Sequence, residues 1–319
     1  MLPPVDLSVT AIIQNTNLKS KATSMNSPWD YNTAFSRNIG WVTEQEQQAL
    51  KAKRVAIAGM GGVGGSHLLT LARLGIGAFN IADFDNFEVC NFNRQRGATV
   101  SHLGKAKVDA LADMALDINP ELDIKRYPEG VTDANLPEFF TGVDVYVDGL
   151  DFFAFKARGA VFAACHELGI PAVTAAPLGM GTALLSFMPG GMSFDDYFQW
   201  EGCSETEQAL RFLLGLAPSG LHGRYLVDAS RIDLAGKKGP STAMGCELCA
   251  GVTATEVLKI LLKRGRVYPA PYAQQFDAFT NRFKRTWLPG GNRNPIQKLK
   301  LLLARKRLSP FLPSQLPAT

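Results

Sequence analysis

The chain has 319 residues, 46% hydrophobic and 19% charged, with 33 basic and 29 acidic side chains for a net charge of +4. That is enough apolar material for a sizeable core, which excludes a mostly disordered chain, and no apolar run approaches the roughly 18 residues of a bilayer helix. Five cysteines are too few and too irregularly spaced for a disulfide framework, and the opening residues lack a basic start followed by an apolar stretch, so a cytoplasmic protein is expected.

Residues 1–30 are rich in Ser, Thr, Asn and Pro and are expected to form a flexible arm. A helix follows, signalled by Thr43 and Glu46 at capping-box spacing. RVAIAG (54–59) is a short apolar run of the kind that forms a buried parallel strand, and the leucines of SHLLTLARLGIG have helical spacing. FNIADFD (79–85) predicts a second strand, Lys105–Ile118 a helix, DIKRYP a third strand and VDVYVDGLD (143–151) a fourth. A helix over 153–168 and the strand PAVTAA continue the rhythm, which implies a parallel sheet with right-handed crossovers. GTALLSFMPG reads as a further strand, 190–241 as an irregular crossing segment or insertion, 242–264 as a long apolar helix and QQFDAF as a late strand. From Gly291 onward there are six basic residues and no acidic one, leaving 27 basic against 29 acidic in the body. A slightly acidic body argues against nucleic acid as a partner. In the basic tail (291–319), Ile296, Leu299, Leu302 and Leu303 share one helical face, which predicts a helix packed on the body with a solvated basic side. The expected architecture is α/β: a Rossmann-like, doubly wound, mainly parallel sheet with helices on both faces and a C-terminal extension.

Gly59-Met60-Gly61-Gly62-Val63-Gly64 fits G-x-G-x-x-G between a strand and a helix. Such a turn lets the backbone approach a phosphate closely, and the exposed amides at the helix start attract the anion. Asp83, 22 residues after Gly61, ends the second strand where a carboxylate can accept from ribose hydroxyls. The loop lacks G-x-x-x-x-G-K-[ST], so it is not a P-loop. Asp85, Asn91, Arg94 and Gln95 come next, then Lys105 and Lys107. A dinucleotide has no general use for that Arg and Lys, whereas a triphosphate does, because cations stabilise departing pyrophosphate and a carboxylate can hold magnesium. Asp148 or Asp151, at the end of the fourth strand, supplies the carboxylate.

The set GMGGVG, ADFDNFEVCNFNRQ, GKAK and DGLDF, in this order, resembles the ThiF/MoeB/HesA adenylyltransferases, bacterial relatives of ubiquitin-activating enzymes. The resemblance covers about 34–190 and resumes at 242–264. It implies an adenylation domain over 31–290, with Gly59, Gly61, Gly62 and Gly64 lining ATP and Asp83 holding the ribose. It further implies that Asn91, Arg94, Gln95 and Lys107 contact the phosphates and that Asp151 coordinates Mg. FSRNIGW (35–41) resembles the family's upstream arginine motif, which places Arg37 as a finger reaching the ATP of a partner subunit and implies a homodimer. The implied reaction is activation of a carboxylate, such as the C-terminus of a ubiquitin-like or sulfur-carrier protein or a peptide or small-molecule carboxylate, as an acyl-adenylate. An NAD-dependent oxidoreductase using the same loop, and a non-catalytic nucleotide-binding scaffold, are the alternatives.

The chain departs from the family in two places. Phe152 stands where Asn usually follows the magnesium aspartate, and only one C-x-x-C pair, Cys246 and Cys249, is present where a structural zinc needs two. Those cysteines are expected in the core and no structural zinc is expected. Cys203 in the crossing segment is the one candidate thioester nucleophile, but Glu201, Glu205 and Glu207 surround it in sequence. Cys90 and Cys165 are expected to be packed.

Overall fold

The computed structural model describes residues 29–233 and 236–308, with the side chains of 307 and 308 left out. Most of the expected arm therefore lies outside the described residues, as does the tail beyond 308. Trp29 and Asp30 belong to the body: the Trp29 indole N–H donates to the Ile118 carbonyl (3.2 Å) and Asp30 caps the first short helix, α1 (Tyr31–Ala34). In α2 (Glu44–Lys51) the capping box is present in both directions, with Thr43 N to Glu46 Oε2 at 2.8 Å and Glu46 N to Thr43 Oγ1 at 3.1 Å.

The alternation of strands and helices begins with β1 (Arg54–Ala58), α3 (Gly62–Leu74), β2 (Ala78–Ala82) and α4 (Lys107–Ile118). It continues with β3 (Asp123–Tyr127), α5 (Leu136–Phe139), β4 (Val145–Asp148), α6 (Phe155–Leu168), β5 (Ala172–Leu178) and β6 (Gly181–Phe187). Then follow α7 (Phe194–Phe198), α8 (Glu205–Leu216), α9 (Ala243–Leu262), β7 (Tyr272–Asp277), β8 (Arg282–Trp287) and α10 (Pro295–Leu308). One eight-stranded sheet results, in the order β3-β2-β1-β4-β5-β6-β7-β8. The pairs from β3 through β5 are parallel, and β5/β6, β6/β7 and β7/β8 are antiparallel.

Both faces of the strands are apolar, so successive residues feed two cores. Val55, Ile57, Phe79, Ile81, Val145 and Val147 pack with α3, α4 and α9, whereas Ala56, Ala58 and Tyr146 pack with α5 to α8. This is the doubly wound α/β arrangement that the sequence predicts. β1 and β4 are sequence-distant neighbours, and the strand order runs outward from β1 to β2 on one side and from β4 to β5 on the other. That makes their carboxyl ends the switch point at which ligands bind in such sheets.

Two expectations are corrected. The first half of the 190–241 segment is not irregular: it holds α7 and α8, capped by Ser193 and Ser204, whose hydroxyls accept from Asp196 N (3.0 Å) and Glu207 N (3.4 Å), whereas among the described residues from 217 to 241 the only helices are short 3-10 turns. The terminal helix α10 does pack on the body, but with a face other than the expected one. Gln297 and Leu301 are buried, the Lys300 ammonium donates to the Pro218 carbonyl (2.6 Å) and Arg305 Nε donates to Glu207 (2.8 Å). These anchors turn Ile296, Leu299, Leu302 and Leu303 outward, each more than half exposed. Among the described residues no helix is long and apolar enough to cross a membrane.

Candidate functional site

β1 delivers the chain into the glycine loop at the switch point. Gly59 has φ +86°, and a Cβ there would stand 2.2 Å from the Gly149 carbonyl oxygen. A Cβ on Gly64 would stand 1.7 Å from the Gly59 oxygen, so these two glycines let the loop press against the turn that follows β4. Gly61 differs: its nearest neighbour would be Gln95 Nε2 at 3.8 Å. Gly61 also caps α3, whose first turn carries no acidic side chain, so its free amides and positive dipole end are open to an anion.

Asp83 ends the strand path beside this loop. Its Oδ2 accepts from Met60 N (2.6 Å) and its Oδ1 from Asp85 N (2.8 Å), which fixes the carboxylate against the loop backbone. Burial raises its pKa, and the two backbone amides and the nearby Lys107 ammonium work against that rise. Lys107, only 6% exposed at the start of α4, donates to Asp85 Oδ2 (2.8 Å), and its backbone N–H donates to the Asp85 carbonyl (2.9 Å).

The stretch after Asp85 folds over the loop. Asn91 is buried and its Oδ1 accepts from Glu88 N (2.9 Å), which shapes the short 3-10 turn Val89–Asn91. The turn brings Arg94 above Gly62, with Arg94 Cγ 3.7 Å from a Cβ built there, and the Arg94 guanidinium donates to the Cys90 carbonyl (3.0 Å) and Asn93 Oδ1 (2.9 Å). Gln95 lies over Gly61, buried, with its Oε1 unpartnered. The structure thus gathers Gly59, Gly61, Gly62, Gly64, Asp83, Asp85, Asn91, Arg94, Gln95 and Lys107 at one sheet edge.

Asp151 reaches the same edge from β4. It is exposed, and its Oδ1 accepts from Phe153 N (3.0 Å). Asp148, the other candidate carboxylate, is not available. It is buried in an ion pair with Arg158, both side chains 2% exposed, with Nε to Oδ2 at 2.8 Å, and it also accepts from Thr174 Oγ1 (2.8 Å) and Leu150 N (3.2 Å). Sequence reasoning missed Arg158, which carries no motif of its own.

The remaining candidates lie elsewhere. Arg37 is exposed in a 3-10 turn (Ser36–Asn38), where Asn38 Nδ2 donates to the Arg73 and Leu74 carbonyls at the far end of α3 (3.4 and 3.3 Å). Thirteen helical residues span about 20 Å, so Arg37 sits remote from the glycine loop of its own chain. Cys203 lies before α8, half-buried, its Sγ 3.9 Å from the Gln199 carbonyl. Glu207, expected to oppose a thiolate there, is held by Arg211 (2.6 Å) and Arg305, which lower its pKa against the effect of its burial. Cys165, Cys246 and Cys249 are buried and burial raises each thiol pKa, whereas Cys90, expected to be packed, is exposed because the 3-10 turn faces outward. A cavity of about 560 Å³ opens between α6 and the 195–208 stretch, starting at Phe153 and lined by Lys156, Trp200, Glu201 and Glu205.

The profile of the ThiF family matches residues 35–295. The chain belongs to the ThiF family. It is 33% identical over 141 residues to the tRNA threonylcarbamoyladenosine dehydratase of Bacillus subtilis (44% of this chain, 55% of the relative). It is 30% identical over 143 residues to the sulfur carrier protein ThiS adenylyltransferase of Escherichia coli (45% and 56%). The chain therefore spans about half the length of the curated relatives it matches. Its fold is that of E. coli MccB solved with ATP, at TM-score 0.59 and 20% identity over 81% of this chain and 73% of that one.

Proposed function

We propose that this ThiF-family chain is an ATP-dependent adenylyltransferase that activates a substrate carboxylate. The observation that carries this is the pairing of an open Gly61 with an overlying Arg94, at the amino end of a helix without first-turn acids. A triphosphate fits that cradle: the backbone amides donate to phosphate oxygens and the cations meet the charge on the leaving group. Relatives named as adenylyltransferases support the same reaction.

In this reading an ionised carboxylate oxygen of the acceptor attacks the α-phosphorus of ATP. The bond from that phosphorus to the bridging oxygen breaks, and pyrophosphate takes up the electron pair. The carboxylate is already deprotonated near neutral pH, so the chain supplies positioning and charge stabilisation rather than a general base. Asp83 orients the ribose, and Arg94 and Lys107 stabilise the charge that develops. Among the described residues no group of three or more His, Cys, Asp or Glu side chains converges on a metal site. Magnesium nevertheless suits Asp151, because it takes one or two protein carboxylates and fills its shell from substrate phosphates and water. When bound, it neutralises phosphate charge. The remoteness of Arg37 from its own loop supports a role in trans within a homodimer. The cavity beside Phe153 is assigned to the acceptor, whose identity is a sulfur-carrier-type C-terminus or another carboxylate. Pyrophosphate exchange into ATP, driven by a panel of carboxylate acceptors, tests the reading. No exchange with any acceptor, in a protein that still binds ATP, would leave only a nucleotide-binding scaffold.

A further inference from the structure

The loop that carries Asp151 is held from beneath in a way that the proposed reaction does not itself require. We infer that Arg158 is the positioning residue of this loop. The inference rests on the reading of Asp151 as the magnesium carboxylate.

Arg158 comes from the first turns of α6 and points back under the loop. Its guanidinium donates through NH2 to the Leu150 carbonyl (2.8 Å) and the Asp151 carbonyl (3.0 Å), and through NH1 to the Phe152 carbonyl (3.2 Å). Three consecutive carbonyls are therefore gripped by one planar cation. Its Nε is committed to Asp148, which in turn accepts from Leu150 N, so the ion pair closes a ring around the loop. Lysine cannot copy this, because it is a point donor without a rigid fork. The upper side of the same guanidinium lies over the Phe212 ring at 4.6 Å, and the Phe152 ring packs on Phe212 at 5.3 Å. Phe212 belongs to α8, so the crossing segment covers the loop while Arg158 fastens it below. An exposed carboxylate on an untethered turn would sample many orientations. Here the carbonyls on both sides of its Cα are held by Arg158, and its Oδ1 accepts from Phe153 N (3.0 Å). Groups that orient a metal ligand in this way typically change metal affinity by 10–100-fold when replaced.

The test is calorimetric titration of ATP at stepped magnesium concentrations into the wild type, Arg158→Lys and Asp151→Asn, with thermal melts of each. Arg158→Lys keeps a cation opposite Asp148 and so avoids the unpaired buried carboxylate that Arg158→Gln would leave. The expected result is a folded Arg158→Lys protein that binds metal-free ATP like the wild type but needs at least about tenfold more magnesium for the metal-dependent gain. Wild-type magnesium dependence in Arg158→Lys, with Asp151→Asn impaired, would overturn the role of Arg158 alone. Equal loss of metal-free and metal-dependent binding would show Arg158 to be structural only and would also overturn it. Wild-type magnesium dependence in Asp151→Asn would overturn the metal reading on which the inference stands.

Discussion

The glycine loop separates two demands that one motif usually conflates, backbone packing and room for a phosphate. An alanine at position 64 would put its Cβ 1.7 Å from the Gly59 oxygen and 2.7 Å from its carbonyl carbon, both backbone atoms that cannot swing away. Overpacking of that kind costs about 1–3 kcal/mol, while the helical gain from replacing glycine returns less than about 1 kcal/mol. With the clash against backbone at the upper end of that range, Gly64→Ala is expected to lose about 2 kcal/mol, a fall of about 3 °C in Tm for a chain of this size. At position 61 the nearest atom to an added Cβ is Gln95 Nε2 at 3.8 Å, an ordinary contact. The folding penalty of Gly61→Ala is the N-cap preference alone, about 1 kcal/mol. Its methyl, however, enters the space between the loop and Gln95 that a phosphate needs. ATP affinity should fall at least about tenfold, or 1.4 kcal/mol. Differential scanning calorimetry and ATP titration on both variants read the two effects separately. A Gly61→Ala protein that binds ATP like the wild type would refute the assignment of that space to phosphate.

Other expectations are narrower. Arg94→Ala and Asp151→Ala should each slow adenylate formation at least about tenfold in pyrophosphate exchange, and turnover near wild type in either would remove that residue from the site. His67 is fully buried with both ring nitrogens unpartnered, and burial lowers its pKa to about 4 from 6.5. A base with a depressed native pKa stabilises the fold above pH 6.5 and loses that stability as pH falls toward 4. Melts should therefore show about 2–3 kcal/mol of acid destabilisation between pH 7.5 and 4.5 that His67→Leu lacks, and identical pH profiles would contradict the burial argument. Cys203→Ser should keep adenylate formation within about twofold, and a tenfold loss would return the thiol to the chemistry. Mixing Arg37→Ala with a site-dead Asp151→Ala protein should restore part of the activity if Arg37 works in trans, and no recovery in mixed dimers would count against it.

Much of this organisation is legible in the sequence because the physics is local. A strand buried on both faces must be a continuous apolar run, and RVAIA and VYVD are such runs. A loop that touches its neighbour's backbone must be glycine, so the loop announces itself. The antiparallel end of the sheet was harder to read. β8 is an exposed edge strand, RFKRTW, with no apolar alternation to mark it. Helices α7 and α8 were hidden by the acidic and glycine-containing text around them, although Ser193–Asp196 and Ser204–Glu207 carry the Ser-x-x-acid spacing that marks a helix start. In α10 the apolar periodicity pointed to one face, while tertiary anchors through Arg305 and Lys300 chose another. Asp148 and Asp151 are indistinguishable by spacing. Only the fold shows that one is consumed by Arg158 and the other is exposed just beyond β4.

The most direct test of the central claim is calorimetric binding of Mg-ATP against NAD and NADH, on the wild type and on Arg94→Ala. The account predicts that Mg-ATP binds, that its affinity falls at least about tenfold without Arg94, and that the dinucleotides bind far more weakly. Dinucleotide binding that exceeds that of Mg-ATP and is indifferent to Arg94 would contradict it.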